Sequence, residues 1–382
     1  MKLHGIGRAT GLKAPIIGRV LTEEVPANLR HDSVLVWKHA KPPSDTSGYM
    51  ALLSPSTAPC WPSVSPLIHS VNSLDYLSDG DVIYLSPSGF VRTLYRRNST
   101  SNFVLATDQC NSFCLMCSQP PRKVNDFARI SEHFRLIDLI DTETRELGIT
   151  GGEPTLFKDH FLRLIRYCKD RLPNTALHVL TNGRLFYYRE FAYKLGEIQH
   201  PDIMLGIPLY SDVDSEHDYV VQARGAFEET VLGIHNLARY RVPVEIRVVI
   251  HRQTYRRLPM LAEFIARNFP FVAHVALMGL EMFGFVHRNF DELWIDPHDY
   301  QTELVKATET LFVSGLNTSI YNHQLCVLDR RLWQFARKSI SDWKNIYLDV
   351  CQRCDVREEC GGLFQSAAKK HSQHISPIMI SN

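Results

Sequence analysis

The sequence predicts an α/β protein in which six strand–helix units build a parallel sheet, closed or partly closed into a barrel. A β-rich subdomain precedes it and a Cys-rich extension follows. Three observations predict this. From residue 102 onward short apolar runs alternate with helix-length amphipathic stretches, the signature of βα units. Before that point the chain is rich in Pro and Ser between residues 41 and 66 and carries a strand–turn–strand signal. Beyond residue 297 cysteines crowd together.

Taken in order, residues 1–101 form the β-rich subdomain, with clear strands at 33–37 and 81–86. Residues 79–96 read as a hairpin around a Ser-Pro-Ser-Gly turn. Two roles fit it: a free edge that adds an extended peptide as a further strand, or a cap on the bottom of the barrel. The barrel spans 102–296, with strands expected at 103–106, 146–150, 176–180, 203–209, 244–250 and 272–278. Helices are expected among other places at 132–140, 158–170 and 227–239. Parallel barrels hold their chemistry at the C-terminal ends of the strands. The extension, 297–382, opens with a helix.

A chain of 382 residues is long enough for a sizeable core. An apolar fraction of 45% with 22% charged residues excludes disordered and fibrous classes. Lys plus Arg (42) balance Asp plus Glu (41), so no global field draws in nucleic acid or an anionic membrane. No apolar run approaches the roughly 18 residues that span a bilayer. The opening Met-Lys-Leu-His-Gly-Ile-Gly-Arg breaks up the apolar stretch a signal peptide needs, and a cytoplasmic location is expected. Nine Cys without a secretion signal point to metal or redox chemistry.

Cys110, Cys114 and Cys117 sit in a loop directly after the first barrel strand, reading Cys-Asn-Ser-Phe-Cys-Leu-Met-Cys-Ser-Gln-Pro-Pro over 110–121. Three thiolates at this spacing wrap three corners of an iron–sulfur cube and leave the fourth iron open. Pro120 and Pro121 keep a helix from starting at once. Structural zinc is the competing reading, but it takes four ligands and no His lies near. The second strand ends in Thr150, Gly151, Gly152, Glu153 and Pro154: two glycines admit a ligand to the backbone, and a carboxylate there suits an ammonium group. In the tail, Cys351, Cys354 and Cys360 form a second set, to which Cys326 adds a fourth thiol. Iron–sulfur and zinc both remain open for it. Cys60 and Cys168 are left as ordinary buried thiols.

The first loop and the Gly-Gly-Glu-Pro turn resemble those of the radical S-adenosylmethionine (SAM) superfamily, with Met116 where that family usually has an aromatic residue. The resemblance implies a partial (βα)6 radical SAM barrel. It also implies a [4Fe-4S] cluster on Cys110, Cys114 and Cys117 and reductive cleavage of SAM to a 5′-deoxyadenosyl radical. Gly151, Gly152 and Glu153 would then receive the SAM amino group, and Asn182 and Ser211 would lie near its ribose or methionine, although Asn182 also fits a simple Asn-Gly turn. Arg247 would pair with the SAM carboxylate or, alternatively, with a local one. Met278 and Gly279 would flank the adenine or pack in the core. The tail resembles the extension of peptide-modifying members, implying an auxiliary iron–sulfur cluster on Cys326, Cys351, Cys354 and Cys360.

The wording of the loop, the turn and the late Ser-Ile-Ser-Asp-Trp (339–343) is most similar to the His-Xaa-Ser system radical SAM maturase family, HxsC. That resemblance covers about residues 80–364. It implies as partners a ribosomal peptide with His-Xaa-Ser repeats, a second radical SAM maturase and an electron donor. The alternatives are a radical SAM enzyme acting on a small molecule and a non-catalytic metal-binding protein.

Overall fold

Short apolar stretches near the N-terminus form eight strands in a computed structural model that describes residues 3–57 and 65–380. They are β1 (His4–Ile6), β2 (Arg8–Thr10), β3 (Ile16–Leu21), β4 (Ser33–Val36), β5 (Ala51–Leu53), β6 (Leu67–His69), β7 (Val82–Leu85) and β8 (Phe90–Tyr95). Cys60, expected as a buried thiol, lies outside the described residues.

The strands make one sheet in the order β1-β8-β7-β3-β4-β5-β6-β2. Only Gly7 separates β1 from β2, and β1 pairs with β8 while β2 pairs with β6, so the chain itself closes the ring. A Cβ at Gly7 would stand 2.5 Å from the His69 carbonyl oxygen, which is why no side chain is carried there. Val20, Val34, Val36, Leu53, Ile83 and Leu85 fill the interior. The expected hairpin is present as β7 and β8, but neither flank is free: β3 pairs with β7 and β1 with β8. The expectation of an open edge for peptide docking on this hairpin is therefore corrected. Its backbone donors and acceptors are already spent on strands far away in sequence.

The strands expected for the parallel sheet, β9 (Phe103–Leu105), β10 (Glu146–Thr150), β11 (Ala176–Leu180), β12 (Ile203–Pro208), β13 (Val244–Val249) and β14 (His274–Met278), begin within two residues of expectation. Two further strands, β15 (Thr318–Tyr321) and β16 (Ala336–Arg337), extend the sheet, which runs β16-β15-β14-β13-β12-β11-β10-β9. The ladders from β11 to β16 are all parallel. The count of six strands is thus corrected to eight. Thr318 and Ser319 hide β15 from an apolar-run reading, because they are buried polar residues; the Ser319 hydroxyl meets His274 Nε2 at 2.9 Å.

The helices are α1 (Arg129–Leu139), α2 (Asp159–Arg171), α3 (Arg189–Gly196), α4 (Asp214–Val221), α5 (Ala226–Arg239), α6 (Leu258–Asn268), α7 (Phe290–Leu293) and α8 (Gln301–Val313). In α5 the buried residues Ala226, Thr230, Gly233, Ile234 and Leu237 recur at helical spacing and form its inner face. The Asp218 carboxylate accepts from Phe227 N at 2.8 Å and caps its first turn. Among the described residues no helix is long and apolar enough to cross a membrane.

The chain falls into two compact units that do not follow it linearly. One comprises Met1–Val104, Phe127–Gly148 and Leu164–Ala176; the other comprises Leu105–Asp126, Ile149–Arg163 and Leu177–Asn382. In the first, Arg19 donates to the Leu139 carbonyl at 3.0 Å and Arg135 pairs with Asp32 at 2.5 Å, fastening α1 to the ring. The second holds the candidate site.

Candidate active site

The loop after β9 is held in shape by one buried carboxylate. Asp126 accepts from Thr107 Oγ1 at 2.9 Å, Asp108 N at 2.7 Å and Gln109 Nε2 at 2.9 Å. Arg122 N donates to the Asp108 carbonyl at 2.8 Å, so the segment from 108 to 122 is pinched into a closed loop bearing the three cysteines. Its middle is gripped by the end of α4, where Phe113 N and Leu115 N donate to the Val221 and Val220 carbonyls at 3.0 and 2.9 Å. The far end is held by Phe285 N on the Cys117 carbonyl at 2.9 Å and Asn289 Nδ2 on the Leu115 carbonyl at 2.8 Å.

The glycine turn after β10 presses against the same loop. Gly152 N donates to the Thr107 carbonyl at 2.7 Å and Glu153 N to the Gln109 carbonyl at 2.8 Å. A Cβ at Gly152 would stand 2.0 Å from Gln109 O, so glycine is needed for backbone to lie on backbone. The Glu153 carboxylate is wholly buried and accepts from Thr155 N (3.0 Å), Thr155 Oγ1 (2.6 Å), Thr181 Oγ1 (2.7 Å) and Asn182 N (2.6 Å). Burial raises its pKa, against those hydrogen bonds. Four protein donors thus fill it, and it ties the turn to the end of β11.

Around these elements opens a cavity of about 360 Å³, within the size range of ligand pockets. Cys110, Cys114 and Cys117 line it, as do Gly151, Gly152, Asn182 and Arg247. Its wall follows the C-terminal ends of the strands: Thr150 ends β10, Leu180 β11, Pro208 β12, Val249 β13 and Met278 β14, and Asn322 follows β15. Ser211 is elsewhere; it is fully buried, and its hydroxyl donates to Glu216 at 2.7 Å. Its neighbour Tyr210 lines the cavity instead, together with Glu281 and Asn322. Sequence reasoning left these three out of the site, although each lies just beyond a strand end.

Burial pushes the Cys110 thiol up to about 12 and raises Cys114 and Cys117, and the proximity of Cys110 and Cys117 adds to the shift of Cys114. Three half-buried thiols that resist ionising side by side suit a cationic iron–sulfur core, which supplies the charge that stabilises them. Among the described residues no three His, Cys, Asp or Glu side chains converge as a single metal ion requires. The thiols of a cube each bind a different iron and need no such convergence.

Residues 104–265 match the family model of the Radical SAM superfamily. The chain carries a radical SAM domain. It is similar to Fe-coproporphyrin III synthase of Methanosarcina barkeri, 26% identical over 162 residues, which is 42% of this chain and 39% of that one. It is also similar to GTP 3',8-cyclase of Nautilia profundicola, 32% identical over 99 residues, 24% of this chain and 30% of that one. The chain therefore spans less than half the length of either relative. Among solved structures, Streptococcus suis SuiB bound to S-adenosylmethionine aligns with 57% of this chain and 49% of its own at 16% identity, with a TM-score of 0.45.

Within the radical SAM domain Arg247 is oriented by a buried network. Its Nη1 meets Glu245 Oε1 at 2.5 Å, and the other Glu245 oxygen meets His274 Nδ1 at 2.7 Å. Burial works to raise the Glu245 pKa, but His178, His274 and Arg247 outweigh it and hold the carboxyl well below its ordinary range. Arg247 thus pairs with a local carboxylate, one of the two sequence readings, and it also lines the cavity.

Past the domain, Cys326, Cys351, Cys354 and Cys360 line one small pocket with Tyr347, Ile375 and Ile378. Burial raises the Cys326 and Cys351 thiols, and Cys360 adds to both shifts. The last described residues close over them: Ile378 N donates to Cys354 Sγ at 3.4 Å and Asp355 N to the Ile378 carbonyl at 3.0 Å. Cys168 is buried in α2.

Proposed function

We propose that this protein is a radical SAM peptide maturase, acting in the cytoplasm on a ribosomal peptide with His-Xaa-Ser repeats alongside a second radical SAM maturase and an electron donor. The observation that carries the catalytic part is the single cavity at the strand ends onto which Cys110, Cys114, Cys117, the Gly151–Gly152 backbone and Arg247 all open. A [4Fe-4S] cluster, once reduced by the electron donor, would supply the electron that breaks the sulfonium bond of SAM, giving methionine and a 5′-deoxyadenosyl radical. The three thiols hold that cluster. Gly151 and Gly152 would offer backbone atoms to the SAM ammonium, Arg247 its guanidinium to the carboxylate, and Asn182 would lie near the ribose or methionine. Glu153 acts behind the glycines as a brace. Met116, Val249 and Leu280 give the cavity apolar wall that keeps water away from a reactive carbon radical. The peptide part is supported by the wording of the cysteine loop and by four cysteines gathered at one place in the tail, which suit an auxiliary iron–sulfur cluster.

The test is anaerobic reconstitution followed by reduction with SAM. Wild-type protein should form 5′-deoxyadenosine and Cys114→Ala should form none; undiminished cleavage in the variant refutes the cluster assignment. A repeat peptide is then added, with the partner maturase, and followed by mass spectrometry for a changed His or Ser, most simply the loss of two hydrogens. An unmodified peptide with a small molecule consumed instead refutes the peptide reading and leaves SAM cleavage standing.

A further inference from the structure

Arg184 follows Gly183, whose φ of +77° turns the chain back after β11 and aims the next side chain at the cysteine loop. Its side chain is only 13% exposed, and the guanidinium is spread over two elements. Nε meets Glu229 Oε2 on α5 at 2.6 Å, while Nη1 donates to the Asn111 carbonyl at 2.6 Å and approaches Ser112 Oγ at 3.1 Å. Asn182 adds a bond from Nδ2 to Asn111 Oδ1 at 2.6 Å. Asn111 and Ser112 lie between Cys110 and Cys114, so the fork grips the stretch from which two of the three thiols project. Neither Arg184 nor Glu229 lines the cavity, which separates them from direct contact with SAM.

We propose that Arg184, braced by Glu229, is a positioning residue that fixes the Cys110–Cys114 turn and biases the cluster held there toward its reduced state. The inference rests on the reading of Cys110, Cys114 and Cys117 as cluster ligands. A planar fork with donors on two edges sets the direction of the loop in a way that a point charge on a flexible stem does not. A fixed positive charge beside an anionic thiolate-bound cluster favours the state with one more electron, since net charge nearby is one determinant of cluster potential. Glu229 holds the fork in place and also offsets part of its charge, so the two residues pull the potential in opposite directions.

Two measurements test this on the full chain. In the metal-free protein, hydrogen exchange at the Phe113 and Leu115 amides should quicken about tenfold in Arg184→Gln and Arg184→Lys, the factor that one charge-assisted hydrogen bond is worth. In reconstituted protein, an EPR-monitored redox titration follows the signal that SAM perturbs. Arg184→Gln should shift its midpoint to lower potential, Arg184→Lys should leave it near wild type, and Glu229→Gln should raise it. Should Arg184→Gln fail to fold, the sign of the Glu229→Gln shift decides, because that variant keeps the bonds to the loop. Equal midpoints and equal exchange in Arg184→Gln and wild type, or a lowered midpoint in Glu229→Gln, overturn the proposal. A wild-type protein with no SAM-responsive signal overturns the cluster reading, and the exchange measurement then still decides the positioning role.

Discussion

Replacing Gly152 by Ala tests whether catalysis depends on backbone lying directly on backbone. The added Cβ would stand 2.0 Å from the Gln109 carbonyl oxygen and 2.5 Å from its carbon, where ordinary contact begins at 3.4 Å. The turn and the cysteine loop must therefore part by about 1.4 Å, the difference between the oxygen distance and ordinary contact. Neither side can yield by rotating a side chain, because both are backbone. Overpacking of this kind costs about 1–3 kcal/mol. The bonds from Gly152 N and Glu153 N into the loop stretch with it, at about 1 kcal/mol each. Cys110 is attached directly to Gln109, so its thiol moves too. A misplacement of about 1 Å at a reacting centre lowers rates about 100-fold. The expected result is a fall of about that size in 5′-deoxyadenosine formation by reconstituted protein, with reduced iron content and a lower urea midpoint. A rate within about threefold of wild type, less than ~1 kcal/mol of barrier, would refute the reasoning.

His251 is wholly buried with neither ring nitrogen hydrogen-bonded, and burial pushes its pKa down to about 3 from an ordinary 6.5. The unfolded chain therefore takes up that proton first, and stability present above about pH 6.5 is lost as pH falls toward 3. His251→Phe should remove about 1.4 kcal/mol per pH unit from that slope and add about 1 kcal/mol at neutral pH; urea melts at pH 5 and 7 with the wild-type slope would contradict this. Asp126→Ala strands three donors of the cysteine loop and should cost about 2–4 kcal/mol, with Asn recovering part of it, as measured by equilibrium unfolding. For the tail, a variant with Cys110, Cys114 and Cys117 all changed to Ala should keep iron and sulfide at about one cube per chain. Zinc alone in that variant would make the tail a structural site, and no metal would remove both readings.

Most strands of the parallel sheet were legible because each is a short, largely apolar run with a buried face, which a linear reading reports directly. Strand β15 was not, since Thr318 and Ser319 satisfy their polar groups inside the fold and look exposed in a linear reading. In the N-terminal unit the hairpin was legible from its turn chemistry. Its neighbours were not, because β1 and β3 reach it from far off in sequence and nothing local encodes that pairing.

The same division runs through the site. Thiol spacing, the glycine pair and their order along the strands are local facts, so the sequence by itself determined which segments border the cavity. Tertiary packing decided which side chains meet the cavity. Glu153 carries the motif's only carboxylate, yet Thr155, Thr181 and the Asn182 amide enclose it. Ser211 turns to Glu216, while Tyr210, Glu281 and Asn322 take places on the wall. The physical reason is that a polar side chain goes to whichever partner the fold brings within about 3 Å, whether that partner lies a few residues away, as Glu216 does from Ser211, or on another strand's end, as Thr181 does from Glu153.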